Sequence, residues 1–96
     1  MLFMLSASFT DQGVRGLKDA PKRAQASREL AKKFGAEIKQ AYMTTGESDL
    51  ILFVEAPNGD GMLKFAMALG MQGHLRTKTA RAWPMDDFMK LVAELP

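Results

Sequence analysis

The chain has 96 residues, 47% hydrophobic and 25% charged, which is ordinary usage for a single globular domain spanning residues 1–96 and excludes collagen-like or low-complexity sequence. It contains no cysteine, so disulfides, thiolate nucleophiles and Cys-ligated metal centres are excluded and stability must come from packing. Its net charge of +2 is unevenly spread: residues 1–48 carry eight Lys or Arg against five Asp or Glu, and the excess lies between Lys18 and Lys33 without an aromatic residue that could stack on a base, so it reads as a solvated face rather than a nucleic-acid stripe.

Met1 to Phe9 is a run of apolar and small residues ended by Thr10-Asp11-Gln12-Gly13, a strand followed by a turn and a helix cap. Phe3, Leu5, Ala7 and Phe9 form one face, and Leu2 and Met4 precede Ser6 and Ser8 on the other, the pattern of a central strand. A short helical turn carrying Val14 and Leu17 leads to Asp19, expected to cap a longer helix that has Pro21 in its first turn and runs to about Phe34, where Gly35 stops it. The apolar stripe of that helix is Ala20, Ala24, Ser27, Leu30, Ala31 and Phe34. Arg23 falls on the flank of the stripe and is the cation least explained by solubility.

Glu37 to Met43 alternates, with Ile38, Gln40 and Tyr42 predicted on one face and Glu37, Lys39, Ala41 and Met43 on the other, which suits an edge strand. A short turn through Gly46 then enters Asp49 to Glu55, whose unbroken apolar run predicts a second central strand and an antiparallel hairpin. Asn58 or Asp60 can cap a helix from about Gly61 to Leu69, with Met62, Phe65, Ala66 and Leu69 at i, i+3, i+4 and i+7. Leu75 to Trp83 reads as the other edge strand, and Phe88, Leu91, Val92 and Leu95 mark a C-terminal amphipathic helix able to pack on the body or on a partner. With right-handed crossovers the order strand, helix, strand, strand, helix, strand gives an α+β, ferredoxin-like βαββαβ fold with an added C-terminal helix and an antiparallel sheet ordered 4-1-3-2. Two helices cover one face only. The second apolar face must therefore meet the C-terminal helix, a ligand or a second sheet, and a second copy of the chain is the simplest cover.

His74 is the only histidine, so a two-His metal site is excluded, no cofactor motif is present, and a catalytic triad would have to use this one residue. Asn58, Asp60 and Gly61 lack the rest of a calcium loop, and Gly59 and Gly61 lack the rest of a phosphate loop. Asp49 opens a central strand beside a glycine turn, where it can either hold Arg23, Arg76 or Arg81 or serve the turn itself. Tyr42, Trp83, Arg81 and His74 are the polar-tipped side chains best able to line a cavity, although Tyr and Trp at strand ends equally suit a core margin. Asp49 to Glu55 has an acid at each end and one aromatic, unlike the basic, multi-aromatic strand of an RNA-recognition module.

Thr10-Asp11-Gln12-Gly13-Val14, Lys18-Asp19-Ala20-Pro21-Lys22-Arg23, Gly46-Glu47-Ser48-Asp49, Leu69-Gly70 and Arg76-Thr77 occur in an order and spacing that resembles the GYD domain family over almost the whole chain. Gly46 and Asp49 match the motif that names the family, and Ser48 stands where its tyrosine is typical. The resemblance implies a dimeric α/β-barrel of ferredoxin-like fold, in which two sheets pair around a cavity, and it assigns no catalytic residue.

Two functions are consistent with these residues. The first is a non-catalytic homodimer, paired through its sheet face, whose cavity takes a small molecule. The second is a metal-free enzyme similar to the dimeric α/β-barrel oxygenases, acting on a compact aromatic or quinone-like substrate, with His74 or Asp49 as base and Arg81 as anion holder. No apolar run reaches the roughly 18 residues of a membrane span, and Met1 to Phe9 lacks the pattern of a secretory signal. The expectation is a cytoplasmic protein with neither nucleic acid nor membrane as partner.

Overall fold

Short polar side chains and glycines set the ends of the elements. A computed structural model describes residues 1–96, in the order β1 (Leu2–Phe9), α1 (Asp11–Arg15), a 3-10 turn (Leu17–Asp19), α2 (Ala20–Lys33), β2 (Glu37–Met43), β3 (Leu50–Glu55), α3 (Gly59–Met71), β4 (Leu75–Ala82) and α4 (Met85–Ala93). The Thr10 hydroxyl accepts from Gly13 N at 3.1 Å and caps α1, and Asn58 Oδ1 accepts from Gly61 N at 2.8 Å and caps α3. Asp19 departs from expectation, since its side chain makes no capping bond. The 3-10 turn, closed by Asp19 N donating to Gly16 O at 2.9 Å, already aims the chain into α2. Gly35, at φ +76°, ends α2, and Ala36 N then donates back to Ala31 O at 2.9 Å, the left-handed close that favours glycine.

The four strands form one antiparallel sheet in the order β2-β3-β1-β4, which is the expected 4-1-3-2 read from the opposite edge. The two strands with apolar residues on both faces occupy the centre. Residues paired across antiparallel strands share a face, so the register fixes two surfaces. Phe3, Leu5, Leu52 and Val54 face the helices and form the core with Ala31 of α2 and Met62, Phe65 and Leu69 of α3. Met4 opposite Phe53 and Ser6 opposite Ile51 lie on the other face.

The expected face of β2 is corrected by its register. Ile38 pairs with Val54, but Gln40 pairs with Phe53, so the ladder is interrupted between Ile38 and Gln40. This extra residue, Lys39, makes a bulge that places Ile38 against the core while Gln40 and Tyr42 turn to the opposite face. Simple alternation puts all three together.

No residue of α4 is buried. Phe88, Met89 and Leu91 are 46%, 59% and 49% exposed, so the C-terminal helix is not folded back to cover the second sheet face. The molecule measures 53 × 30 × 17 Å, and the shortest extent accommodates one sheet and one helix layer. Its radius of gyration is 14.7 Å, against about 12.5 Å for a compact domain of this length. Its accessible surface is 6696 Å², roughly 1,200 Å² above the expectation for a compact monomer of this mass. Apolar surface that a two-layer domain normally hides is exposed here. No helix is long and apolar enough to cross a membrane.

Candidate functional site

Two concavities lie on opposite sides of the sheet. The first is a cavity of about 130 Å³ in the helix layer, between the start of α2, the end of α3 and the strand ends that meet there. Phe9, Leu50, Leu69 and Leu75 supply apolar walls, and Arg23 and His74 supply the charged and titratable groups. The second is a depression of about 430 Å³ on the open sheet face, bordered by Met4, Ser6, Ser8, Ser48, Arg76 and Lys78.

The segment after β1 builds the mount for His74. Thr10 N donates to His74 O at 3.1 Å and Thr10 Oγ1 donates to Gly73 O at 2.6 Å, clamping the connection from α3 to β4. A Cβ on Gly13 would stand 2.2 Å from His74 O. Only glycine permits that approach. Gly73 itself is at φ +85°, another position that L side chains resist. On the facing wall Gly16 leaves space for Arg23, whose Nη1 would lie 3.0 Å from a Cβ built there. Arg23 therefore turns inward from the helix flank instead of extending into solvent like Lys22 or Arg28.

Within this cavity Arg23 Nη2 and His74 Nδ1 are buried without a hydrogen-bond partner. Ser27 does not serve the arginine side chain, because its hydroxyl donates to Arg23 O at 2.8 Å. These are the two buried side-chain nitrogens or oxygens in the protein left unpaired.

The remaining residues singled out in the sequence lie elsewhere. Asp49 holds backbone rather than an arginine: Oδ2 accepts from Phe9 N at 2.9 Å, Asp49 N donates to Ala7 O at 2.9 Å, and its carbonyl accepts from Thr44 N at 2.8 Å. It ties the start of β3 to the end of β1, and no hydrogen bond or ion pair joins it to His74, Arg23, Arg76 or Arg81. Arg81 pairs in register with Phe3, at the end of β4 remote from His74. Its guanidinium lies 4.6 Å from the Trp83 ring centroid and 5.9 Å from that of Phe3, a cation–π stack at the sheet margin. Tyr42 is exposed on the open face and meets Phe53 edge-on, with centroids 6.5 Å apart. Ser48 borders the open-face depression, where the larger ring of a tyrosine would occupy part of the space.

Gln72 and Met43, which also line the cavity, carry no such mark in the sequence. Gln72 follows the last turn of α3, where no periodicity applies, and the inward turn of Met43 depends on the bulge at Lys39. Ser27 carries a usable signal, being the one polar residue within the apolar stripe of α2.

The fold and its paired concavities define a small α+β domain of ferredoxin-like topology. The chain belongs to the GYD domain family, whose pattern it matches over residues 3–92. Among characterised proteins it is similar to the glutamine synthetase and cystathionine beta-lyase binding protein of Thermus thermophilus, with 27% identity over 88 residues covering 91% of this chain and 93% of the relative.

Proposed function

We propose that this chain is a non-catalytic binding module that self-associates through its open sheet face and takes other proteins as partners. The observation that carries the reading is the uncovered apolar surface: Met4, Ile51, Phe53 and Tyr42 share the open face, and the apolar residues of α4 have no cover within the chain. Patches of this kind on a globular domain mark interaction sites. The surface in excess of a compact monomer is of the order that a stable interface hides, about 800 Å² per partner. A second copy would lay sheet on sheet and enclose the depression around Ser6, Ser8 and Ser48, giving a polar chamber able to take a small molecule. The relative from Thermus is named for binding two enzymes, which supports a protein as the further partner.

The oxygenase-like alternative requires a base and an anion holder that converge on one substrate. Asp49 is bound to backbone, His74 lies in the helix-layer cavity, and Arg81 is stacked on Trp83 at the far end of β4. That separation favours binding over catalysis.

Native mass spectrometry, with light scattering at matched concentrations, tests the self-association. A dimer that becomes a folded monomer on Phe53→Glu is expected. A wild-type monomer at high micromolar concentration, or a variant that remains dimeric, would overturn the sheet-face reading. For the protein partner, titration against purified glutamine synthetase gives a direct result: saturable binding supports this branch, and no binding removes this candidate enzyme.

A further inference from the structure

Buried polar groups in folded proteins are almost always hydrogen-bonded, and a buried charge without a partner is costly. Arg23 Nη2 is such a group, a buried nitrogen on a guanidinium with no acceptor in the protein. Both unpaired nitrogens of this protein belong to residues lining the same cavity. Seven of the eleven residues around it are hydrophobic, so its complement is an amphipathic molecule rather than a fully hydrated ion. The volume, about 130 Å³, is close to the roughly 150 Å³ of an engineered apolar cavity that accepts benzene.

We propose that this cavity is a binding site for a small monocarboxylate with a compact apolar body, such as an aryl or branched-chain acid. The carboxylate accepts from Arg23 Nη2 and from a proton on His74 Nδ1, and the ring or alkyl group packs on Phe9, Leu50, Leu69 and Leu75. A carboxylate suits the site better than a phosphate, because two donors on a largely apolar wall match two oxygens and leave a third charged oxygen unsatisfied. The site is built before the ligand arrives. Thr10 and Gly13 fix the His74 backbone, and Gly16 leaves the opening into which Arg23 turns. It lies on the side of the sheet opposite the self-association face and does not depend on that association.

The test is a titration with sodium benzoate and sodium isobutyrate, with benzamide and inorganic phosphate as controls, followed by calorimetry and by the imidazole NMR signals of the single histidine. The expected result is saturable binding of one carboxylate per chain, a shifted His74 signal, and at least about tenfold weaker binding of benzamide, the loss corresponding to one charge-assisted hydrogen bond. Arg23→Met keeps a long apolar stem and should weaken benzoate about tenfold or more without lowering the melting temperature, since the charge it removes has no protein partner. Gly16→Ala is the second variant. Its new methyl would stand 3.0 Å from Arg23 Nη1, shifting the guanidinium slightly, and should weaken benzoate by less than Arg23→Met does while the fold persists. Equal binding of benzamide and benzoate, phosphate binding tighter than both acids, unchanged affinity in both variants, or no saturable binding of either acid would each overturn the proposal, the last leaving water as the occupant of the cavity.

Discussion

The two faces of the sheet are built from alternate residues of the same strands, yet they meet different surroundings. On the helix face Leu5, Leu52 and Val54 are closed off by α2 and α3, and the side chains are almost wholly withdrawn from water. On the open face Met4, Ile51 and Phe53, residues of similar character one position away, remain accessible. The difference shows that hydrophobicity alone does not specify an interior. What decides is whether the chain supplies enough helix to cover both sides, and here it sends its last helix away from the body.

Adjacent residues offer the sharpest contrast. Leu52→Asp would put a charge among Leu5, Met62 and Phe65, at a cost above about 4 kcal/mol that leaves little folded protein. Ile51→Asp, one residue earlier, should melt close to wild type as a monomer while losing self-association. Equal loss of folding by circular dichroism in both variants would erase the distinction between the faces. Truncation carries the same contrast at lower amplitude. Leu5→Ala should cost about 2–5 kcal/mol in urea unfolding, whereas Phe88→Ala, measured in an Ile51→Asp background so that association does not contribute, should stay within about 0.5 kcal/mol. A large effect of Phe88→Ala there would mean that α4 supports its own chain.

Smaller effects separate the mount of the cavity from its surroundings. Gly13→Ala forces a methyl against His74 O and should cost about 1–3 kcal/mol, with the His74 NMR signal displaced. Asp49→Ala strands the partly buried Phe9 N–H and should cost about 1–3 kcal/mol, while Asp49→Asn, which keeps an oxygen acceptor, should recover most of it. If Asn and Ala are equally damaging, the negative charge matters and the backbone role is incomplete. The smallest contrast is at the helix starts: Asn58→Ala removes the cap of α3 and should cost about 1 kcal/mol, whereas Asp19→Ala removes no capping bond and should change the melting midpoint little.

The fold is readable in the sequence because its signals are local and repeated. Apolar residues on both sides of β1 and β3 identify central strands, and Thr10, Asn58, Gly35 and Pro21 punctuate the helices by well-defined backbone chemistry. The bulge at Lys39 is not readable, since a one-residue slip depends on pairing with β3 and changes no residue type. The cavity is half readable. Arg23 stands out by its place on a helix flank and His74 by being alone, but their sharing of one cavity depends on Thr10, Gly13 and Gly16, residues in and beside α1 whose neighbours only the folded chain supplies. Asp49 is recognisable as a turn residue, while its choice of Phe9 N–H over an arginine is a fact of three-dimensional neighbourhood. Tyr42, Arg81 and Trp83 share polar tips but lie on separate elements or stack locally, because strand position separates what composition groups.

The bulge in β2 also limits how copies of this chain can add to one another. It interrupts the ladder at one outer strand and sets Lys39 there beside Glu37, while Arg76 and Lys78 occupy the opposite outer strand. Irregular, charged margins are poor templates for a further strand. Edge addition could continue without end and draw the protein into fibres, whereas face-to-face pairing closes on itself after two copies. Under the proposed sheet-face association, the irregularity that defeats simple alternation would act as a safeguard, favouring a closed pair over polymer growth.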